Sequence, residues 1–423
     1  MKSFRITLLA LLVTVLPLVV QAQRPQLQFF RPNDYAGLNV FEAPKVDTVE
    51  FDGVAVRVGG DFALQYQGLS QSNDLVGDTL VELGSNFNLP TANLNLDVQL
   101  YDGMRMHLRT YLSSRHHSEA WVKGGYLRID KLDFISEGFL QNIMDVTFIK
   151  IGLDEVNFGD AHFRRSDNAR AIYNPFVGNY IMDAFATEAF GEITVLSKSG
   201  IIAMLGVSNG RLNQSVTSND KGMSIYGKLG YDNAPLLTSP DDFRFRLTGS
   251  LYRSSEESTR DYIYGGDRAG GRYYATYQGI NDSRVNDFSP RFNPGFASLT
   301  TIQINPFFSV GGLEFFGIYE VASNNLDAGG SFTQIAGELL YRFGGWDQLY
   351  VGTRYNSVSG EASDAAQTGS ISRFNIGGGW FMTKNVVAKA EYVTESYSGD
   401  GWDGRKFQGA GFNGIMLEAA ISF

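Results

Sequence analysis

Three arginines and a set of carboxylates crowd one stretch of the chain: Arg164, Arg165 and Arg170 stand among Asp154, Glu155, Asp160, Asp167 and Asp183. Guanidinium forks at that density can grip a small polar or anionic solute. They can equally pair with the neighbouring aspartates and only hold a loop in shape. Tyr173-Asn174-Pro175-Phe176 and Tyr180-Ile181-Met182 make the same stretch apolar enough to pack rather than float. The adjacent pair His116 and His117 is a weaker lead. Neighbours on a strand point to opposite faces, so a shared metal ion would need a bend, and no metal site is expected. Imidazole bases for an enzyme are limited to His107, His116, His117 and His162, and no Gly-x-Ser-x-Gly elbow occurs. Glu256-Glu257 and Asp241-Asp242 read as solvated loop or turn pairs. Neither catalysis nor a cofactor is expected, and the absence of Cys excludes disulfides and thiolate metal sites.

The elements that must position these residues are strands. Asn93, Asn95, Asp97 and Gln99 interleave with Leu94, Leu96, Val98 and Leu100, giving one polar and one apolar face. After Tyr101-Asp102-Gly103 turns the chain, Arg105, His107 and Arg109 alternate with Met104, Met106 and Leu108. The same period places strands near 54–69, 91–101, 104–113, 120–131, 143–154, 186–197, 200–208 and 222–231. It continues near 242–253, 296–305, 311–322, 332–343, 347–358, 371–382, 385–396 and 412–423. Such an even set of about sixteen suits an all-β, up-and-down antiparallel transmembrane barrel. Connections alternate between tight turns (Ser197-Lys198-Ser199-Gly200, Gly344-Gly345-Trp346, Thr383-Lys384-Asn385) and long stretches at 70–90, 155–185, 254–295, 359–370 and 398–411. The stretches 132–142 and 232–241 are long for the turn side. Short turns at one end and long loops at the other fit a barrel with its long loops outward.

The start of the chain agrees. Lys2 and Arg5 precede an uncharged apolar run from Ile6 to Val20, and Val20-Gln21-Ala22 supplies a small-residue cleavage pattern. Residues 1–22 therefore read as an export signal, residues 23–52 as a periplasmic or plug-like segment, and 53–423 as the barrel. Beyond residue 22 no apolar run approaches the roughly 18 residues of a membrane helix, so entry into a membrane requires a closed barrel. Those features together place the chain in the outer membrane of a Gram-negative cell. The formal net charge of −10 argues against a nucleic-acid partner.

Ile415, Leu417, Ala419 and Ile421 alternate with Met416, Glu418, Ala420 and Ser422 before a terminal Phe423, like the closing strand of an outer-membrane barrel. Trp121, Tyr231, Trp346, Trp380 and Tyr392 could belong to interfacial girdles. The run Phe158-Gly159-Asp160-Ala161-His162-Phe163-Arg164-Arg165-Ser166-Asp167-Asn168, with Phe51-Asp52-Gly53-Val54, resembles porin-like proteins of the Bacteroidetes, grouped loosely with the phosphate-selective porin O and P superfamily. What the resemblance implies is passive diffusion of small hydrophilic solutes, anions such as phosphate among them, through a barrel held in outer-membrane lipid. In sixteen-stranded porins the third loop at the long-loop end commonly folds into the lumen, and 155–185 is the third connection at that end. Such porins are often homotrimers, though nothing in this sequence marks a trimer interface.

With the apolar face to lipid, Arg57, Arg105, Arg109, Lys150, Lys228, Arg244, Arg246, Arg342, Arg354, Arg373 and Lys389 point inward, facing Asp61, Asp97, Glu192, Glu314, Glu320, Glu338, Glu391 and Glu418. Bases slightly outnumber acids. A ladder of bases would favour anions, whereas mutual pairing would leave the pore nearly unselective. Two further readings stay open. The loop 254–295, with Tyr262, Tyr264, Tyr273, Tyr274 and Tyr277, could serve a surface-binding barrel. Residues 23–52 could plug a channel for hydrophobic substrates.

Overall fold

Each stretch of alternating polarity is a strand. The computed structural model describes residues 24–46, 49–76, 80–112, 121–165, 170–211, 223–239, 241–254, 263–265, 270–282, 287–288 and 291–423. The expected export signal at 1–22, His116, His117, Asp167, Glu256, Glu257 and Tyr262 lie outside the described residues, as does the side chain of Trp121. Among the described residues sixteen strands occur. They are β1 (Ala55–Ser72), β2 (Asn86–Tyr101), β3 (Met104–Tyr111), β4 (Trp121–Ile129), β5 (Thr147–Glu155), β6 (Thr187–Leu196), β7 (Ile201–Ser208) and β8 (Ser224–Asp232). The second half comprises β9 (Arg244–Ser254), β10 (Leu299–Val310), β11 (Leu313–Asn324), β12 (Ser331–Phe343), β13 (Leu349–Glu361), β14 (Gly369–Thr383), β15 (Val386–Ser398) and β16 (Gly411–Ser422). Each strand pairs with its neighbours in sequence, and β1 pairs antiparallel with β16, so the sheet closes. Closure removes the sheet edges, the condition under which strands can cross lipid.

The two faces separate as the alternation requires. Along β12, Gln334, Glu338 and Arg342 are buried inside, whereas Ile335, Leu339 and Tyr341 are exposed on the outer wall. Val56, Val58, Leu94, Leu205, Leu229 and Ile415 extend that apolar belt around the barrel. Tyr231, Trp346 and Trp380 are exposed towards its short-turn end, with Tyr101, Phe243 and Phe343, the position of rings that prefer a lipid–water boundary; Tyr392, expected with them, lies instead at mid-strand between Ile376 and Ile415. Leu94 is 50% exposed to the surroundings. Leu94→Arg is expected to cost about 2–4 kcal/mol if the belt meets the bilayer midplane. Urea unfolding in lipid vesicles measures this, and an unchanged midpoint would contradict the outward assignment.

Turn chemistry explains the tight end. Gly311 and Gly312, between β10 and β11, both adopt left-handed backbone (φ 51° and 82°), as a two-residue hairpin turn with the twist of the strands demands. The two longer connections at this end hold short helical turns. One is α1 (Gln141–Met144), which delays β5 to Thr147 where the sequence pattern predicts a strand from 143; the other is a 3₁₀ turn at Ala234–Leu236. The opposite correction applies to β2, which starts at Asn86 rather than 91. Pro90 lacks an N–H for the ladder, and the register slips there, between Ala63 and Gln65 of β1, so a bulge carries the strand past it.

Candidate functional site

The site is the barrel interior, and strand register determines its charge pattern. Antiparallel pairing sets Glu338 opposite Arg354, Arg373 opposite Glu395, Lys389 opposite Glu418, Lys150 opposite Glu192, Asp232 opposite Arg246 and Arg57 opposite Asp97. Opposite charges placed directly across a ladder attract at close range. Arg354 Nη2 donates to Glu338 Oε2 at 2.6 Å, Arg342 Nε to Glu314 at 2.6 Å and Arg105 Nη1 to Asp97 at 2.9 Å. Arg373 bonds Glu395, and Arg109 and Lys150 both reach Asp154. Arg244 and Arg246 share Asp232, while Arg57 stacks on Phe30 at 4.7 Å. Most of the inward bases are therefore paired with carboxylates, and Arg57 rests on an aromatic face instead.

The third connection at the long-loop end, described at 156–165 and 170–186, folds into this charged interior, and the wall fixes it at many points. Asp160 accepts from Lys228 (2.9 Å), from Arg246 (2.8 and 3.0 Å) and from Thr248 (2.7 Å). Farther along, the Val177 N–H donates to Glu391 (2.8 Å), Ile181 N–H to Asn356 (2.6 Å) and Met182 N–H to Gln334 (3.0 Å). Backbone groups that would otherwise be stranded inside the barrel thus find side-chain partners. Arg164 donates to Glu338 at 2.6 Å and to Asn39. Arg165 donates to Asp183 at 2.7 Å and lies 3.0 Å from Glu155. Both are sealed, at 2% and 1% exposure. In this arrangement both guanidiniums are buried in ion pairs that tie the loop to the wall and to itself. Arg170 is only half-buried and borders an interior cavity.

The segment 24–46 enters the same interior from the short-turn end. Gln28 donates through its backbone to Gln99 (3.0 Å), Asn33 donates to Asp61 (3.0 Å), and the Tyr35 N–H donates to the Lys384 carbonyl (2.8 Å). Phe41 is 1% exposed and packs on Phe163, Phe307 and Phe316. Arg31 lies over Tyr173 at 4.0 Å, tying the segment to the loop. The described part of this stretch is thus bonded to inward-facing residues of the barrel.

Between this segment, the loop and the inner faces of β1 to β6 lies a cavity of about 130 Å³. Six permanent cations border it (Arg31, Arg57, Arg105, Arg128, Lys150 and Arg170), against five carboxylates (Glu42, Asp97, Asp154, Glu155 and Glu192), with His107 and His162 between them. Burial, reinforced by Lys228 and Arg165, holds the His162 imidazole well below its ordinary range, so it is neutral at physiological pH. Among the described residues no group of three or more His, Asp or Glu is disposed to hold a metal ion.

No family model matches the chain, and no curated protein matches it. Solved structures do. The outer-membrane expressed OmpT of Vibrio cholerae superposes with a TM-score of 0.53 at 12% identity, over 89% of this chain and 99% of that one. The outer membrane channel DcaP of Acinetobacter baumannii does so with a TM-score of 0.53 at 12% identity, over 88% and 99%. The chain therefore has a porin-like fold, a closed sixteen-stranded antiparallel barrel shared with these outer-membrane proteins. At such identity the likeness concerns the fold.

Proposed function

We propose that this chain is an outer-membrane channel for passive diffusion of small hydrophilic solutes, narrowed by the third loop at its long-loop end and by its N-terminal segment. The observation that carries the reading is the division of the barrel wall: an apolar belt outside, and inside a charged lining that a water-filled path can solvate. On this reading residues 1–22 are an export signal, residues 23–52 the plug-like segment and 53–423 the barrel in outer-membrane lipid. A weak anion preference accompanies it, because six cations face five carboxylates around the interior cavity. The resemblance to phosphate-selective porins makes inorganic phosphate the first anion to test.

The test is conductance of the purified protein in a planar bilayer under a salt gradient. Discrete steps of small amplitude with a slightly anion-leaning reversal potential are expected. A zero reversal potential would remove the anion preference and keep the channel. Correctly folded barrel that conducts nothing would sink the channel reading and favour a surface-binding barrel.

A further inference from the structure

Away from the charged interior, the long-loop end carries a second cavity, of about 690 Å³, which is within the size of small-molecule sites. Its walls come from the stretch after β9, from the connection 362–368 and from the connection 399–410. Six aromatic rings line it: Tyr277, Phe292, Phe332, Tyr397, Trp402 and Phe407. Tyr397 and Phe407 stack with centroids 4.8 Å apart and planes 15° apart. Trp402 stands edge-on to both, at 5.1 and 5.7 Å. Phe292 reaches Phe332 at 4.8 Å and Trp402 at 6.2 Å, which joins the rings into one wall.

The wall is fixed before any ligand arrives. Trp402 Nε1 donates to the Ser370 carbonyl at 3.1 Å, and Lys406 bridges to Asp282 on the facing connection at 2.8 Å. Preorganised rings lose little entropy on binding. The polar groups of the cleft are mixed in sign. Asp400 and Asp403 stand with Arg405 and Lys406, and Gln367 adds a neutral amide. Arg291, also at the cleft, is committed to Asp183 at 3.0 Å. A wall of rings with near-balanced charge gives neither a net field for an ion nor a dry pocket for a hydrocarbon. It suits a neutral ligand with flat apolar faces and a hydroxylated rim.

We propose that this cleft binds a neutral oligosaccharide, with pyranose faces laid on the partly exposed Phe292, Tyr397 and Phe407 rings, which the buried Trp402 backs, and hydroxyls bonded by Asp400, Asp403, Gln367 and Arg405. The cleft has room for more than one sugar ring. The site is independent of whether the barrel conducts. Isothermal titration of the detergent-solubilised full chain with maltohexaose, cellohexaose and xylohexaose tests it, with benzoate and inorganic phosphate as charged controls. Saturable binding of at least one saccharide is expected, weakened roughly tenfold in Phe407→Ala and in Tyr397→Ala, in line with loss of one aromatic contact. A heat-dependent gel shift reports that each variant is folded. The proposal is overturned if no saccharide binds to folded protein at millimolar concentration, if binding ignores both substitutions, or if benzoate binds and the saccharides do not. Saccharide binding by a barrel that never conducts would leave this site standing and remove the channel.

Discussion

A chain lacking residues 24–52 is expected to conduct severalfold better than the full-length protein in a planar bilayer. The segment fills cross-section that the strands alone leave free. Phe41 wedges among Phe163, Phe307 and Phe316, Phe30 sits between Arg57 and Arg105, and Asn39 bonds Arg164. Removing these groups opens the short-turn end of the lumen while leaving every ladder of the barrel intact. A milder version, Phe41→Ala with Arg31→Ala, should raise the conductance less and make it noisier, because the segment keeps its ties to Gln99, Asp61 and Lys384 but loses its aromatic anchor and the Arg31 bond to the Phe163 carbonyl. Equal conductance of the full-length and shortened chains would mean that the segment does not lie in the ion path.

The largest stability effect is expected at Asp160. This carboxylate neutralises Lys228 and Arg246, and all three side chains are almost completely buried. Asp160→Ala leaves Arg246 with only the shared Asp232 at 3.3 Å and Lys228 with only Glu42 at 3.9 Å, a loss of about 3–5 kcal/mol for two buried cations deprived of their main counter-ion. Asp160→Asn, which keeps hydrogen bonding but not the charge, should be clearly destabilising as well. Replacing the whole group (Asp160→Leu with Lys228→Met and Arg246→Met) should recover much of the loss. Urea unfolding of vesicle-inserted protein measures all three. Wild-type stability of Asp160→Ala would show that water reaches the two cations.

The pH dependence follows the same carboxylate. Burial alone would raise the Asp160 pKa, but Arg246 and Lys228 outweigh it and hold the group well below its ordinary value of 3.8. A depressed folded-state pKa stabilises fully above the unfolded value and loses that contribution as the pH falls through the folded one. Stability from this group is therefore flat at neutral pH and declines only below about pH 4.

The barrel was legible because its signal is local. Leu94 to Leu100 and Met104 to Leu108 announce their period within a few residues, and an apolar outer face needs no knowledge of the partner strand. In β12 the outward Ile335, Leu339 and Tyr341 alternate with an inward set that mixes Gln334, Glu338 and Arg342 with Ala336 and Leu340. The locking of the loop was not legible in that way. Nothing between residues 160 and 246 tells how far apart they lie in space, so Arg164 and Arg165 could be read as solute contacts as easily as struts. Pairing across a hairpin was in principle available. Once the turn at 344–348 is placed, the register puts Glu338 against Arg354, which predicts a neutralised wall. The N-terminal segment was the hardest part. Arg24-Pro25, Arg31-Pro32 and Ala43-Pro44 interrupt any period, and its partners are scattered from Asp61 to Lys384.

The junction of β1 with β16 has a consequence for how the molecule is made. Every other pairing joins strands that follow one another in the chain, whereas this one matches Asp61 with Ser422 and continues through twelve residue pairs to Ser72 with Gly411. Ser422 donates to Asp61 across a sequence separation of 361 residues, and Gln65 donates to Glu418 beside it. Long-range pairing of this kind is slow to form, because its contacts reward the chain only after almost all of it has been ordered. Hairpins can assemble one after another in the meantime, leaving a growing curved sheet with two unpaired edges. Such edges are templates for pairing with another chain. The assembly intermediate is therefore most vulnerable just before closure, and weakening this one junction should lower the yield of folded barrel more than its final stability.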